Sequence, residues 1–254
     1  MRAQLTKQLK QSGVFLDLMI ALLALAALMA ALPDYARFLV FPFVLAGWLV
    51  SLCLHEFGHA YAAYRYGDFS VVGKGYLTLN PLRYTDVQFS IIYPLLFLAL
   101  GGIGLPGGAV YLNTWSLSSV QRAWVSAAGP LATLAVLIFL LAFMAAAGDA
   151  LAARPILYKA VAFLAFLQLS ALVLNLLPVP GLDGWGIIEP WLPSDWREFG
   201  HRAAPVAPAL LFMSFWLVPG LNRMFWRLDF NLSQIIGLDW KLAMQGLSLF
   251  RFWT

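Results

Sequence analysis

Long apolar stretches alternate with short polar breaks along the chain. Four stretches, at residues 14–32, 38–64, 124–147 and 156–177, are long enough for a helix to cross about 30 Å of hydrocarbon at about 1.5 Å per residue. Charged residues, glycine or proline follow each of them. The pattern predicts four transmembrane helices. We expect the first to be retained, because it is long and lacks a small-x-small cleavage site.

Three other stretches have different patterns of apolar, polar and turn-forming residues. Residues 69–90 are short alternating pieces with glycine and proline between them, which predicts a small hairpin or an extended loop. Residues 91–112 are apolar but rich in glycine and proline, so we expect a re-entrant segment, since broken backbone at membrane depth must be buried in protein or line a wet cavity. The apolar run at 203–218 and the tail rich in Arg, Trp and Phe predict a C-terminal span and an interfacial helix.

Composition supports the membrane interpretation. Of 254 residues, 62% are hydrophobic and only 11% are charged, which is typical of an integral membrane protein that contacts the lipid bilayer. No basic cluster with interleaved aromatic residues indicates nucleic acid as a partner. The single cysteine, Cys53, excludes an intrachain disulfide and a cysteine-based zinc site. The predicted fold is an all-α polytopic membrane protein, one domain over residues 1–254 with a core at about 38–190 and a C-terminal part at about 203–254.

The second apolar stretch contains the pattern H-E-x-x-H at His55, Glu56 and His59. On a helix, residues four apart share a face, so both imidazoles can bind one metal ion while Glu56 lies beside a metal-bound water. The same pattern occurs by chance on soluble amphipathic helices. Here it lies in a membrane span, where each ionisable group costs roughly 2.5–3.5 kcal/mol and is functional by default. We therefore predict a catalytic metal site.

A catalytic zinc ion usually has three protein ligands and one open position. The residues after His59 do not supply a third histidine at the spacing of the extended H-E-x-x-H-x-x-G-x-x-H motif. Candidates further along the chain are Asp183, Glu189, Glu198 and His201. Asp183 stands out because it follows a proline-broken apolar helix, where a carboxylate without a function would be costly.

Topology tests the choice of Asp183. His59 lies near the end of the second span and Asp183 lies just after the fourth, so both are on one side only if residues 91–112 do not cross the membrane. Positive charges favour that arrangement, because nine lie on the side of the predicted site and three on the other, which also places the N-terminus and the active-site loops in the cytoplasm. The nine are Arg2, Lys7, Lys10, Arg65, Lys74, Arg83, Arg122, Arg197 and Arg202; the three are Arg37, Arg154 and Lys159.

Two motifs together resemble the site-2 protease family of intramembrane zinc metalloproteases. They are His55-Glu56-Phe57-Gly58-His59 and Asn175-x-x-Pro178-x-Pro180-x-Leu182-Asp183-Gly184. The stretches Leu77-Thr78-Leu79-Asn80-Pro81-Leu82 and Gly129-Pro130-Leu131 are similar to a bacterial branch of the family. The resemblance implies a core of three transmembrane helices, one zinc ion held by His55, His59 and Asp183, and cleavage of transmembrane protein substrates in regulated proteolysis at the bacterial inner membrane.

The expected chemistry follows from the motif. Zinc lowers the pKa of its water towards about 7, and Glu56 acts as the general base and then delivers the proton to the leaving amine. Asn175 is a candidate donor to the substrate or to the oxyanion, or else a cap of its own helix. The chain departs from the family pattern at Thr133, where asparagine is common, and at Trp185, where a second glycine is common.

Two other functions are open at this level. One is a membrane scaffold without proteolytic activity that binds zinc or a partner; the presence of Glu56 beside the two histidines is evidence against it. The other is a zinc transporter, which would need ligands at several depths along a path, whereas the polar groups here converge on one depth.

Overall fold

A computed structural model of the protein describes residues 13–83, 112–113 and 116–253, and this part of the chain is helical, without strands. The long helices are α1 (Gly13–Ala31), α2 (Ala36–Arg65), α4 (Ser119–Ala146) and α6 (Pro155–Asn175). Shorter helices are α3 (Ser70–Lys74), α5 (Gly148–Ala152), α7 (Asp183–Ile188), α8 (Ser194–Ala203), α9 (Ala207–Leu217), α10 (Pro219–Ile235) and α11 (Trp240–Phe250), with 3-10 turns at Pro81–Arg83 and Glu189–Trp191.

The four predicted spans correspond to α1, α2, α4 and α6. Each of these helices is long and apolar enough to cross a membrane. The protein is therefore a multi-pass membrane protein with an all-α fold, as its hydrophobic pattern predicts.

Local sequence signals account for several helix ends. Ser118 and Gln121 form a capping box at the start of α4, in which the Ser118 hydroxyl accepts from the Gln121 amide and the Gln121 side chain accepts from the Ser118 amide. Pro155 opens α6 at a position where its missing N–H costs nothing. Just beyond α2, Gly67 has φ +107°, a conformation that residues with a Cβ adopt only with strain.

Helix α6 lies at the centre of the described structure. It contacts α2, α4, α10 and α11, and its Phe163 and Phe166 side chains are fully buried. A Cβ added at Gly246 of α11 would overlap the Lys159 carbonyl of α6, so these two helices approach closely only because residue 246 is glycine. Helix α1 packs mainly on α2 and is otherwise largely exposed, as expected of a helix surrounded by lipid.

Three predicted features are not confirmed by the described residues. The described part of residues 69–90 forms α3 and a 3-10 turn, so the predicted hairpin is not confirmed there, and residues 84–90 lie outside the described part. The predicted re-entrant segment at 91–112 lies outside the described residues except for residue 112. The apolar run at 203–218 forms the 11-residue helix α9, whose length of about 16 Å is too short to cross the membrane alone.

Helix α10 buries a carboxyl group against α6. Asp229 is fully buried, and the Ser170 hydroxyl donates to its Oδ2 at 2.6 Å. Its Oδ1 has no hydrogen-bond partner among the described residues. Burial raises the pKa of Asp229 to about 6, although the hydrogen bond from Ser170 lowers it. The ionised form is therefore destabilising in the folded state.

Replacing Asp229 by asparagine should make the free energy of unfolding less dependent on pH. Because the pKa of Asp229 is higher in the folded state than its ordinary value, the folded state binds more protons between about pH 4 and 6, and the free energy of unfolding falls as the pH rises through that range. Asp229→Asn removes this loss. Thermal unfolding in detergent should show a larger gain in Tm for the variant at pH 8 than at pH 4.5.

Asp149→Asn provides the control, because Asp149 is exposed and lies in the short helix α5. Its Tm should follow that of the wild type at both pH values. An equal Tm difference for Asp229→Asn at pH 4.5 and pH 8 would contradict the assignment of a buried, destabilised carboxylate.

Candidate metal centre

The two histidines of the H-E-x-x-H pattern lie on one buried face of α2. His55 and His59 are each less than a tenth exposed, and their Nε2 atoms are 3.1 Å apart. The other nitrogen of each ring contacts α4: His59 Nδ1 lies 2.8 Å from the Val125 carbonyl oxygen, and His55 Nδ1 lies 2.9 Å from Thr133 Oγ1. Both rings therefore direct Nε2 toward the same point.

Glycines at the crossing of α2 and α4 make this arrangement possible. A Cβ at Gly58 would lie 2.6 Å from the Ala128 carbonyl oxygen, so the two backbones approach as closely as they do because residue 58 is glycine. A Cβ at Gly129 would overlap His59 Nε2 and would lie 2.7 Å from His55 Nε2. Gly129 thus leaves open the space in front of the two ring nitrogens.

Asp183 reaches this space from the opposite side. The chain leaves α6 at Asn175, turns through a loop in which Gly181 has φ +90°, and begins α7 at Asp183. A Cβ at Gly184 would overlap the backbone at Leu176, so glycine lets the start of α7 fold back on the end of α6. Helix α7 also packs on α4, which turns the Asp183 carboxylate toward the two histidines.

The three side chains have the spacing of ligands around a zinc ion. Asp183 Oδ2 lies 3.2 Å from His55 Nε2, and Asp183 Oδ1 lies 3.2 Å from His59 Nε2. Ligand atoms about 2.0–2.1 Å from a tetrahedral zinc ion are about 3.3–3.4 Å from one another. Within the described part of the chain, these residues form the group of metal-ligating side chains that could hold an ion.

Hydrogen bonding at His59 also indicates a cation. A carbonyl oxygen only accepts, so the Val125 contact requires a proton on Nδ1, and the neutral ring then presents a lone pair at Nε2. That lone pair faces a carboxylate oxygen at 3.2 Å, which is repulsive unless a positive charge lies between them. In the metal-free site a second proton on the His59 ring supplies that charge, and a metal ion bound by all three residues would take its place.

Asp183 is suited to act as an anionic ligand. Burial by itself would raise the pKa of the Asp183 carboxyl, but the charge on His59 and hydrogen bonds with both rings outweigh burial and hold the pKa below its usual range. The side chain of Asp183 is also more exposed than those of the histidines, at 19% against 10% and 8%. The centre is therefore least enclosed on the Asp183 side.

Glu56 is buried beside the group, with 4% of its surface exposed. It interacts electrostatically with His55, His59 and Asp183. A carboxylate buried in an apolar helix is costly, and such groups are concentrated at functional sites.

The other candidates for the third ligand lie elsewhere. His201 Nε2 pairs with Glu189 Oε1 at 3.2 Å, and Glu198 pairs with Arg202 at 3.1 Å on the surface. Asn175 is the last residue of α6 and is half-buried, and its side chain makes no hydrogen bond within the described residues. The structure therefore brings Asp183, and none of the other three candidates, to the two histidines.

Gly129 and Thr133 are site residues that the sequence reasoning did not assign to the metal. Gly129-Pro130 was a signal, because both residues disfavour a helix interior and yet stand inside an apolar one. The signal at Thr133 was weaker: a hydroxyl in an otherwise apolar stretch of α4. Its contact with a residue 78 positions earlier follows from tertiary packing and not from any local pattern.

Comparisons with known proteins agree on one kind of protein. The model of the family described as Peptidase family M50 matches residues 43–203. A protein of Mycobacterium tuberculosis named zinc metalloprotease Rip2 is 49% identical over 215 residues, which cover 85% of this chain and 82% of the relative. The Rip2 protein of Mycolicibacterium smegmatis is 46% identical over 220 residues, with the same coverage of 85% and 82%.

A more distant relative is a protein of Bacillus subtilis named zinc metalloprotease YwhC. It is 33% identical over 204 residues, which cover 75% of this chain and 89% of the relative. No solved structure matches the chain.

Gly129→Ala should prevent metal binding without weakening the helix. The added methyl group would lie against both Nε2 atoms, whereas alanine is about 1 kcal/mol more favourable than glycine within a helix. We expect the purified variant to hold less than about a tenth of the zinc of the wild type, measured by elemental analysis, because the methyl group takes the place of the ion.

Gly73→Ala is the matched control, because a Cβ at Gly73 meets nothing within 4 Å. That variant should bind zinc as the wild type does. Full zinc occupancy in Gly129→Ala would show that the ion does not lie between these residues.

Proposed function

Because this chain belongs to peptidase family M50 and is a zinc metalloprotease, we propose that it hydrolyses a peptide bond in or near the transmembrane segment of a membrane-protein substrate. One zinc ion per chain, held by His55, His59 and Asp183, and Glu56 as the catalytic base, would perform this reaction. The biological process that fits it is regulated intramembrane proteolysis.

The observation that carries the proposal is the depth of the candidate metal centre. His59 lies six residues before Arg65, the last residue of the apolar helix α2, which is about 9 Å along the helix axis. His55 lies one turn deeper, and both rings are buried. A soluble protein domain cannot reach a site at this position, whereas a segment that already lies in the membrane can.

The chemistry divides between the metal and the protein. Bound zinc supplies Lewis acidity that polarises the scissile carbonyl group and acidifies a water molecule. Glu56 takes the proton from the attacking water and passes it to the amine that leaves as the C–N bond breaks. The buried position of Glu56 beside His55, His59 and Asp183 supports this role, since a base must lie next to the attacking water.

Hydrolysis in a membrane requires water and an accessible peptide bond. The exposure of the Asp183 side chain supports a water route from the C-terminal end of α6. A substrate helix must unwind locally, because its peptide groups are otherwise shielded by its own hydrogen bonds. Asn175, which is half-buried and makes no side-chain hydrogen bond within the described residues, would donate to a carbonyl group that unwinding exposes.

The same proposal includes a location. Nine positive charges lie on the side of the candidate site and three on the other, which supports an orientation with the N-terminus and the site toward the cytoplasm. The bacterial sources of the relatives support the cytoplasmic membrane of a bacterium as the location.

Glu56→Gln should separate metal binding from proteolysis. Glutamine keeps the size of the side chain but cannot accept the proton, so the variant should retain one zinc ion per chain and lose at least about a hundredfold in cleavage rate. The measurement combines zinc analysis of the purified protein with cleavage of a panel of single-span reporter proteins co-expressed with each variant.

Glu198→Gln is the control, since Glu198 is exposed and pairs only with Arg202 among the described residues. It should cleave reporters as the wild type does. Equal cleavage by Glu56→Gln and the wild type would remove Glu56 from the mechanism. Bound zinc without cleavage of any reporter in a broad panel would favour the scaffold function instead.

A further inference from the structure

The two candidate histidine ligands are held by partners of different chemistry. His59 Nδ1 lies against the Val125 carbonyl oxygen, which can only accept a hydrogen bond. His55 Nδ1 lies 2.9 Å from Thr133 Oγ1, and a hydroxyl group can donate or accept. The tautomer of His59 is therefore fixed by the backbone of α4, whereas that of His55 depends on one side chain.

Thr133 is placed to make this contact. It lies one turn after Gly129 in α4 and is 3% exposed. The His55 ring is the hydrogen-bond partner of its side chain within the described part of the chain. A buried hydroxyl without a partner is destabilising, so this hydrogen bond stabilises the buried Thr133 side chain as well as the His55 ring.

We propose that Thr133 is a positioning residue for the zinc site: its hydroxyl accepts a hydrogen bond from Nδ1–H of His55 and so directs the Nε2 lone pair at the metal. The inference rests on the ligand set of the proposed function. Hydrogen bonds to the outer nitrogen of a ligating histidine fix its tautomer and orientation and make it a better ligand. In this chain a backbone carbonyl holds His59 in that way, and a side chain that can be replaced holds His55.

The test compares two replacements of Thr133. Valine has nearly the same shape but no hydroxyl, whereas serine keeps the hydroxyl and loses a methyl group. Competition with a chromogenic chelator should show that Thr133→Val binds zinc about 10–100-fold more weakly than the wild type, the loss typical of such partners. Thr133→Ser should remain within about threefold of the wild type.

A second readout reports the ligand geometry directly. When cobalt(II) replaces zinc, the visible spectrum depends on how the ligands surround the ion. We expect the spectrum of Thr133→Val to differ from that of the wild type and the spectrum of Thr133→Ser to match it. A purely structural role for Thr133 would change the Tm of the metal-free protein and leave the cobalt spectrum of the folded fraction unchanged.

Thr78→Val is the matched control, because Thr78 is also buried and donates to a backbone carbonyl, that of Gly75, at 2.8 Å. It should bind zinc as the wild type does. Unchanged zinc affinity in a folded Thr133→Val protein would overturn the inference, as would equal weakening by valine and serine. Neither outcome affects the proposed proteolysis, which fails separately if the wild type binds zinc and cleaves no reporter.

Discussion

The close crossing of α2 and α4 is the interaction on which the candidate site depends. Gly58 brings its helix against the carbonyl of Ala128, and Gly129 leaves space in front of the ring nitrogens of His55 and His59. At this separation α4 supplies a partner for the outer nitrogen of each ring. A larger residue at either glycine would separate the backbones or fill the space for the ion, so packing and metal chemistry are determined by the same contact.

The side chains of His55, His59 and Asp183 can lie this close together only if a positive charge lies among them. The Nε2 atoms of His55 and His59 and the carboxylate oxygens of Asp183 lie 3.1–3.2 Å from one another in a largely buried cluster. Without a positive charge, such a cluster would be strongly destabilising at membrane depth. Membership of peptidase family M50 and the names of the relatives identify that charge as zinc.

The sequence predicted the parts of this structure that are set by local pattern. Apolar length predicted α1, α2, α4 and α6, and helical periodicity placed His55 and His59 on one face. Asp183 was predicted because a carboxylate after a proline-broken apolar helix is costly without a partner. The contacts of Gly129 and Thr133 with the two histidines could not be predicted in the same way, since they cross between helices and leave no periodic signal. The C-terminal apolar run was also misleading in length, because the chain turns at Val218 and Pro219 and limits α9 to 11 residues.

X-ray absorption spectroscopy of the purified protein at the zinc edge would test the central claim most directly. The account predicts one zinc ion per chain, surrounded only by nitrogen and oxygen ligands at about 2.0–2.2 Å, with the outer-shell scattering of two imidazole rings. Sulfur in the first shell, a single imidazole, or a folded protein that binds no zinc would contradict it.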